Sequence, residues 1–354
     1  MITGHSQNHR LWEALPLIER LAPLGLKYWK AIDPPADAAK AVADLGVKLI
    51  VRHVFDGPEH TGPSVWPTQW LDEVRRADWY PYAWAVETAN EPFPGQDVPA
   101  WWATEESRLI VALAMDGKEC IVCNRGVGHD GYYVPGARFY GTHEYDFPYL
   151  LTNTPYLSLR YRMWWPAVKA RRPSAKLFLT EFGVTHAVVD GYPDTGYRSI
   201  GQSPEVYWRD SLWPYLRRVA EDAQVEAAFL YQVGGLHAGE GDKDWSSFEC
   251  VGTTIEDRMV EWYKGSTPVQ TSTESVPEQP STPSQEENSV TNDQLNELER
   301  CAAIADNWAR LSEAQVGAAE SFGYDITNSL DKRRADELRS MVNSIRAVIS
   351  ANPR

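Results

Sequence analysis

Short apolar runs alternate with amphipathic segments over residues 1–265, and this alternation predicts a repeated strand–helix unit. The run from Val47 to Val54 is strongly strand-like, and short apolar runs of this kind are typical of strands buried in a parallel sheet. Such runs predict eight strands, at residues 2–7, 26–32, 47–54, 80–88, 119–124, 138–143, 176–180 and 225–233. The amphipathic segments predict helices at residues 10–24, 36–45, 67–78, 99–115, 157–170, 205–221 and 254–263.

Eight such units predict an α/β fold, specifically a (β/α)8 TIM barrel. A doubly wound open sheet is the alternative architecture for the same alternation of elements. The fifth strand is the exception to the pattern, because residues 125–136 form a Gly-rich segment that predicts a loop in place of a helix.

The composition changes abruptly after residue 265 and predicts two further parts of the chain. Residues 266–291 are rich in Ser, Thr, Pro and Glu, which predicts a flexible linker that cannot bury a core. Residues 292–354 carry two apolar stripes at helical spacing and predict an α-helical hairpin. A hairpin of this size has a small core, so we expect it to form a homo-oligomer or to dock on a partner protein.

Charge and composition exclude several classes of function. The net charge of −15 argues against nucleic acid as a partner, and no apolar run is long enough for a membrane span. No secretory signal is visible after Met1, which leaves both the cytoplasm and export by another route open.

Cys120 and Cys123 lie three apart on a predicted strand, and we expect buried thiols there and no metal site.

Two glutamates stand where core strands are predicted to end. Glu91 follows the fourth strand in the sequence Thr-Ala-Asn-Glu-Pro, and Glu181 follows the seventh in Leu-Thr-Glu-Phe-Gly. The carboxyl ends of barrel strands carry the active site. Two carboxylates facing each other there can cleave a glycosidic bond, since one donates a proton while the other attacks or activates water. The 15 Trp and 17 Tyr are enough to fill a core and still stack on sugar rings.

These motifs, on the fourth and seventh of eight strands, resemble those of the clan A retaining glycoside hydrolases over residues 1–265. The resemblance implies that Glu91 is the acid/base, that Glu181 is the nucleophile, and that Asn90 contacts the neighbouring sugar hydroxyl. It further implies a β-linked oligo- or polysaccharide substrate and neither cofactor nor metal. A general acid at neutral pH needs a raised pKa, whereas the nucleophile has to stay ionised.

Further residues are expected to line the site. The resemblance implies that Tyr145 donates a hydrogen bond to the nucleophile and that His143 lines the cleft. Arg52 is a candidate cation beside Glu181. Polar side chains at other strand ends, His5 and Asp33, are candidates for binding substrate hydroxyls. The eighth strand lacks the Trp that is common at its end in this clan, and its replacement is expected among Tyr231, Gln232 and Trp245.

Two other readings of the barrel stay open at this point. One is a barrel that binds glycans with little or no catalysis and is attached to a larger assembly through the hairpin. The other is an unrelated barrel enzyme such as an aldolase, which needs a Schiff-base lysine or a metal. Lys30 and Lys176 lie on predicted strands, but no cluster of carboxylates and histidines accompanies them.

Overall fold

The computed structural model describes most of the first 266 residues. The described ranges are 2–6, 10–54, 66–92, 98–188, 194–234, 239–240 and 243–266, together with positions 339, 340, 343, 346, 347 and 350. Contacts within the chain divide it into two units, Met1–Pro268 and Val269–Arg354. All of the predicted linker after residue 266 and nearly all of the predicted hairpin at 292–354 lie outside the described residues.

Eight parallel strands form a closed barrel in the described part of the first unit, in the order of the sequence. This confirms the TIM-barrel prediction and excludes the open sheet. The strands are β1 (Ile2–Ser6), β2 (Tyr28–Ile32), β3 (Lys48–Arg52), β4 (Ala83–Glu87), β5 (Glu119–Arg125), β6 (Phe139–Asp146), β7 (Lys176–Val184) and β8 (Val225–Tyr231).

Helices surround the barrel at nearly all the predicted positions. They are α1 (Leu11–Leu21), α2 (Ala36–Asp44), α3 (Trp66–Arg76), α4 (Ala100–Met115), α5 (Tyr161–Arg171), α6 (Pro204–Tyr207), α7 (Trp213–Ala220) and α8 (Thr254–Ser266). The single helix predicted at 205–221 is instead α6 and α7 joined by a π-helical segment, Trp208–Leu212. As predicted, β5 is followed by a loop. No helix among the described residues is long and apolar enough to cross a bilayer.

The barrel interior contains an apolar layer, and charged side chains follow this layer two residues later along the strands. Side chains from seven strands form the apolar layer, namely Tyr28, Ile50, Ala85, Ile121, Phe139, Phe178, Ala227 and Phe229. Because residues i and i+2 of a strand face the same side, Lys30, Arg52 and Glu87 also point inward, above this layer. All three are buried. The apolar layer therefore forms the floor of a charged interior.

A bulge in β7 determines which side chain of that strand joins the charged interior. The pairing of β6 with β7 shifts by one residue, so that Thr142 pairs with Leu179 but His143 pairs with Glu181. Phe178 and Glu181 are three residues apart, and without the shift they would face opposite sides. The predicted strand ended at Thr180, whereas β7 continues to Val184, so Glu181 lies inside the strand and not beyond it.

We expect the barrel to fold without the residues after Gly265. Tyr263, on α8, donates a hydrogen bond of 2.6 Å from its hydroxyl to the carbonyl oxygen of Ile2 on β1, so a chain ending at Gly265 keeps this tie. Its melting temperature should stay within about 3 °C of the full chain, and light scattering should show a smaller assembly if residues 292–354 associate. A chain ending at Glu261 loses the tie and should unfold at a lower temperature. An insoluble Gly265 truncation would contradict the domain boundary.

Candidate active site

The fourth and seventh strands bring Glu91 and Glu181 to the same cleft. The imidazole Nδ1 of His143 lies 2.7 Å from Oε1 of Glu91 and 3.6 Å from Oε2 of Glu181. These two carboxylate oxygens are therefore no farther apart than the sum of the two distances, roughly 6 Å. For comparison, retaining glycosidases hold their two carboxyl groups about 5–5.5 Å apart and inverting ones about 6.5–9.5 Å apart.

The carboxylate of Glu181 is buried and surrounded by donors. On Oε1 it accepts hydrogen bonds from Arg52 Nη1 at 2.7 Å and from Lys30 Nζ at 3.2 Å. On Oε2 it accepts one from the Tyr145 hydroxyl at 2.9 Å. His5 Nδ1 lies 3.6 Å from Oε1.

These neighbours keep Glu181 ionised. Burial alone would raise the pKa of Glu181, but the positive charges facing it, from His143, Lys30 and Arg52, hold that pKa well below its usual range. Glu181 is thus an ionised carboxylate throughout the neutral range. Burial and the nearby Lys30 lower the pKa of His5 well below its usual value, so that His5 is a neutral imidazole there.

Glu91, unlike Glu181, lies outside the strands and is partly exposed. It lies in a turn four residues beyond the end of β4, with a positive φ of 47°. Its backbone N–H donates to the carbonyl of Asn124 on β5 at 3.0 Å. A Cβ on Gly126 would lie 2.9 Å from the Glu91 carboxyl carbon, so the absence of a side chain at position 126 makes room for this carboxylate. The Glu91 side chain is 39% exposed, against 8% for Glu181, and is therefore the carboxylate that solvent reaches.

The charge state of Glu91 departs from the expectation for a general acid. Burial and the charge of Glu181 raise its pKa, but the hydrogen bond and charge of His143 outweigh them, and the pKa of Glu91 is lowered. Glu91 is therefore a carboxylate at neutral pH. The expected raised pKa is wrong for Glu91.

Several predicted residues surround this pair. Arg52 Nη1, which contacts Glu181, also donates to Asn90 Oδ1 at 2.5 Å, so one guanidinium connects the nucleophile candidate to the asparagine beside Glu91. Tyr231 ends β8, and its ring packs 5.3 Å from His5 and 6.0 Å from Tyr145. The half-buried Trp245 stands at right angles to Tyr231, with ring centroids 6.0 Å apart.

Gln232 and Asp33 are placed differently from the other predicted residues. Gln232 is buried and donates from Nε2 to the carbonyl of Trp245 at 3.2 Å, so it anchors the loop that carries Trp245. Asp33 accepts from Val54 N at 2.8 Å and lies 2.7 Å from His53 Nδ1. The other ring nitrogen of His53 lies 3.4 Å from Glu73 on α3, which places this pair toward the outer helices. Asp33 therefore contacts the segment that follows β3, and its role in binding substrate hydroxyls stays a prediction.

Sequence reasoning missed two features of the site. It considered Lys30 only as a Schiff-base residue, whereas its ammonium contacts Glu181. The parity of β2 was the available signal, since Lys30 shares the inward face of Tyr28. It also missed Glu106 on α4, which accepts hydrogen bonds from Thr88, Cys123 and Tyr132 at 2.7–3.0 Å. Glu106 thereby joins the ends of β4 and β5 behind Glu91.

No group of three or more His, Cys, Asp and Glu side chains among the described residues is arranged to hold a metal ion. Cys120, Cys123 and Cys250 are buried free thiols, as expected for the first two. Burial raises the pKa of each thiol.

The fold of this chain is shared with solved structures, while no family model and no curated protein matches its sequence. A β-glucuronidase from an uncultured Clostridium species superposes with a TM-score of 0.52 at 13% identity, over 74% of this chain and 50% of that enzyme. A β-glucuronidase from Dictyoglomus thermophilum gives 0.49 at 8% identity, over 74% and 50% of the two chains. A family 1 β-glucosidase from Thermotoga maritima gives 0.45 at 10% identity, over 72% and 86%.

This chain spans about half the length of the two β-glucuronidases. At such low identity the likeness concerns the fold and not the activity. The chain therefore has the barrel fold of the matched half of the Clostridium β-glucuronidase.

Proposed function

We propose that the protein is a retaining glycoside hydrolase that cleaves a β-linked oligo- or polysaccharide, with Glu181 as nucleophile and Glu91 as acid/base. One observation carries the proposal: His143 Nδ1 contacts both carboxylates, so the two oxygens that face it are at most roughly 6 Å apart, which admits the spacing of about 5–5.5 Å of a retaining pair. The lowered pKa of Glu181 supports its role, since a nucleophile has to be ionised.

Glu181 and Glu91 take different parts in the proposed reaction, in keeping with their different exposure and hydrogen-bond partners. Glu181 attacks the anomeric carbon, and the glycosidic bond breaks as Glu91 gives its proton to the departing oxygen. Water then attacks the same carbon, loses a proton to Glu91, and releases Glu181. Oε2 of Glu181 is the attacking oxygen on this proposal, because Arg52 and Lys30 hold Oε1 while Oε2 faces His143 and Glu91.

The free protein has to gain a proton on Glu91 before the first step. A saccharide in the cleft would cover the exposed part of the Glu91 side chain and exclude water, which raises the pKa of a carboxyl group. We therefore infer that substrate binding protonates Glu91.

A second candidate is the barrel that binds glycans without cleaving them. The lowered pKa of Glu91 favours it, because a site with two ionised carboxylates has no acid to protonate a leaving group. Turnover distinguishes the two candidates, since binding without product supports only the second.

The stereochemistry of the first product tests the proposal. A panel of aryl β-glycosides, including a glucoside, a glucuronide, a xyloside and a mannoside, would be followed by proton NMR from the first seconds. We expect the β-anomer to form first and the α-anomer to follow only by mutarotation, because two successive displacements restore the configuration. An α-anomer formed first would contradict the retaining mechanism. No hydrolysis of any member, with saccharide binding intact, would support the glycan-binding barrel.

A further inference from the structure

Lys30 is a fully buried lysine at the centre of the barrel, and its ammonium group meets three acceptors. Nζ donates to Oε1 of Glu87 at 3.1 Å and to Oε1 of Glu181 at 3.2 Å. It also donates to the carbonyl of Thr180 at 3.1 Å, in the bulge of β7. An ammonium has three protons, and these contacts use all of them, so Lys30 is fixed in one position.

The four charges of the cluster formed by Lys30, Arg52, Glu87 and Glu181 balance while Glu181 is free. Lys30 and Arg52 are positive, Glu87 and Glu181 are negative, and all four side chains are buried. Once Glu181 is an ester it has no charge, and one positive charge is left in excess around it. That excess favours the return of the carboxylate, because buried charges interact strongly through a medium of low polarity.

We propose that Lys30 is a positioning residue that fixes Oε1 of Glu181 and stabilises this carboxylate as the leaving group of the second step, with Glu87 as its counter-charge. This inference rests on the proposed function. In the second step the bond between the anomeric carbon and the Glu181 oxygen breaks, and its electron pair stays on the carboxylate. The attacking water forms the new bond and loses its proton to Glu91.

The same cation has an opposite effect on the first step. A carboxylate held by Lys30 is a weaker nucleophile, so Lys30 slows the attack of Glu181 and speeds its departure. Without Lys30 the glycosyl-enzyme should therefore accumulate. A purely structural role of the Lys30–Glu87 pair predicts no such change in the balance of the two steps.

The decisive variant is the double substitution Lys30→Met with Glu87→Gln, which removes both charges at once. Lys30→Met alone leaves the Glu87 carboxylate buried without its counter-charge and is expected to destabilise the barrel. The double variant avoids this defect, so its folding separates stability from function. Glu87→Gln alone is the matched control, since it keeps the contact of Lys30 with Glu181.

The expected result is a pre-steady-state burst of dinitrophenol release. With a dinitrophenyl glycoside, the double variant should release about one equivalent of phenol per protein and then turn over slowly. The kcat should fall by at least about tenfold and KM by at least as much, while kcat/KM, which reports the first step, should stay equal or rise. Intact-mass measurement should find the glycosyl group on Glu181. Glu87→Gln alone should give no burst. Unchanged kcat and KM in the folded double variant, or a uniform loss without a burst, would overturn the proposal.

A titration without substrate tests the role of Lys30 independently of whether the protein hydrolyses glycosides. The groups that face Glu181 are His5, Lys30, Arg52, His143 and Tyr145. Carbon-13 NMR of the labelled Glu181 carboxyl should show proton uptake at a higher pH in the double variant than in the wild type, by about one unit. Equal titration would overturn the role of Lys30. A wild type that hydrolyses nothing and forms no adduct would instead reject the proposed function and, with it, the leaving-group role.

Discussion

Replacing Glu181 by Gln should abolish hydrolysis of every glycoside, with a loss in kcat of at least about 10⁴-fold. The amide is uncharged and cannot form the ester, and this defect does not depend on the leaving group. The introduced amide would also face the donors of Lys30 and Arg52 with a single oxygen, so some loss of stability is expected. Steady-state rates with activated and unactivated substrates, normalised to folded protein, check the result.

The control for this variant is another buried glutamate of the same barrel. Glu144 precedes Tyr145 on β6 but faces the helices, where it accepts hydrogen bonds from Leu159 N at 2.8 Å and from the Tyr215 hydroxyl at 2.6 Å. Burial raises the pKa of Glu144 to about 7, so the neutral amide of Glu144→Gln resembles a form that the wild type already populates. We expect this control to lower stability and to leave kcat within a few-fold. Equal losses in both variants would contradict the assignment of Glu181.

The fold was predictable because its signal is local and repeated. Each strand is an apolar run bounded by turn residues, and eight repeats leave few architectures. The parity of a strand also predicts which side chains point inward, and it places Arg52, Lys30 and Glu87 on the inner face. Sequence reasoning did not apply this parity to Lys30.

The remaining features of the site depend on contacts between distant parts of the chain. Glu181 faces the interior because the β6–β7 pairing shifts by one residue, and no local pattern in Leu-Thr-Glu-Phe-Gly marks that bulge. Asp33 and His53 follow the ends of two different strands, and their contact at 2.7 Å is a property of the fold that neither local sequence predicts. The pKa of Glu91 depends on His143, 52 positions away, so its direction follows from the fold and not from the motif.

Replacing Glu91 by Gln should produce a loss that depends on the leaving group. General acid catalysis contributes about 10²–10⁴-fold, so kcat/KM for a methyl or unactivated aryl glycoside should fall by that factor. A dinitrophenyl glycoside needs no proton on its leaving group, and its kcat/KM should stay within about tenfold of the wild type. Its kcat should still fall, because water now lacks a base in the second step. Rates plotted against the pKa of the leaving phenol give a steeper slope for the variant.

Azide distinguishes the two carboxylates by the configuration of the product. In Glu91→Ala the glycosyl-enzyme still forms on Glu181, and azide, which needs no base, should enter beside the missing carboxylate and restore turnover. Two displacements then give the β-glycosyl azide. In Glu181→Ala no ester forms, and azide in place of the carboxylate should attack once and give the α-azide. If Glu91→Ala gave the α-azide and Glu181→Ala gave the β-azide, the roles of Glu91 and Glu181 would be reversed. Since Glu91 is the more exposed carboxylate, azide should reach the space left by its removal more readily than the space left by the removal of Glu181.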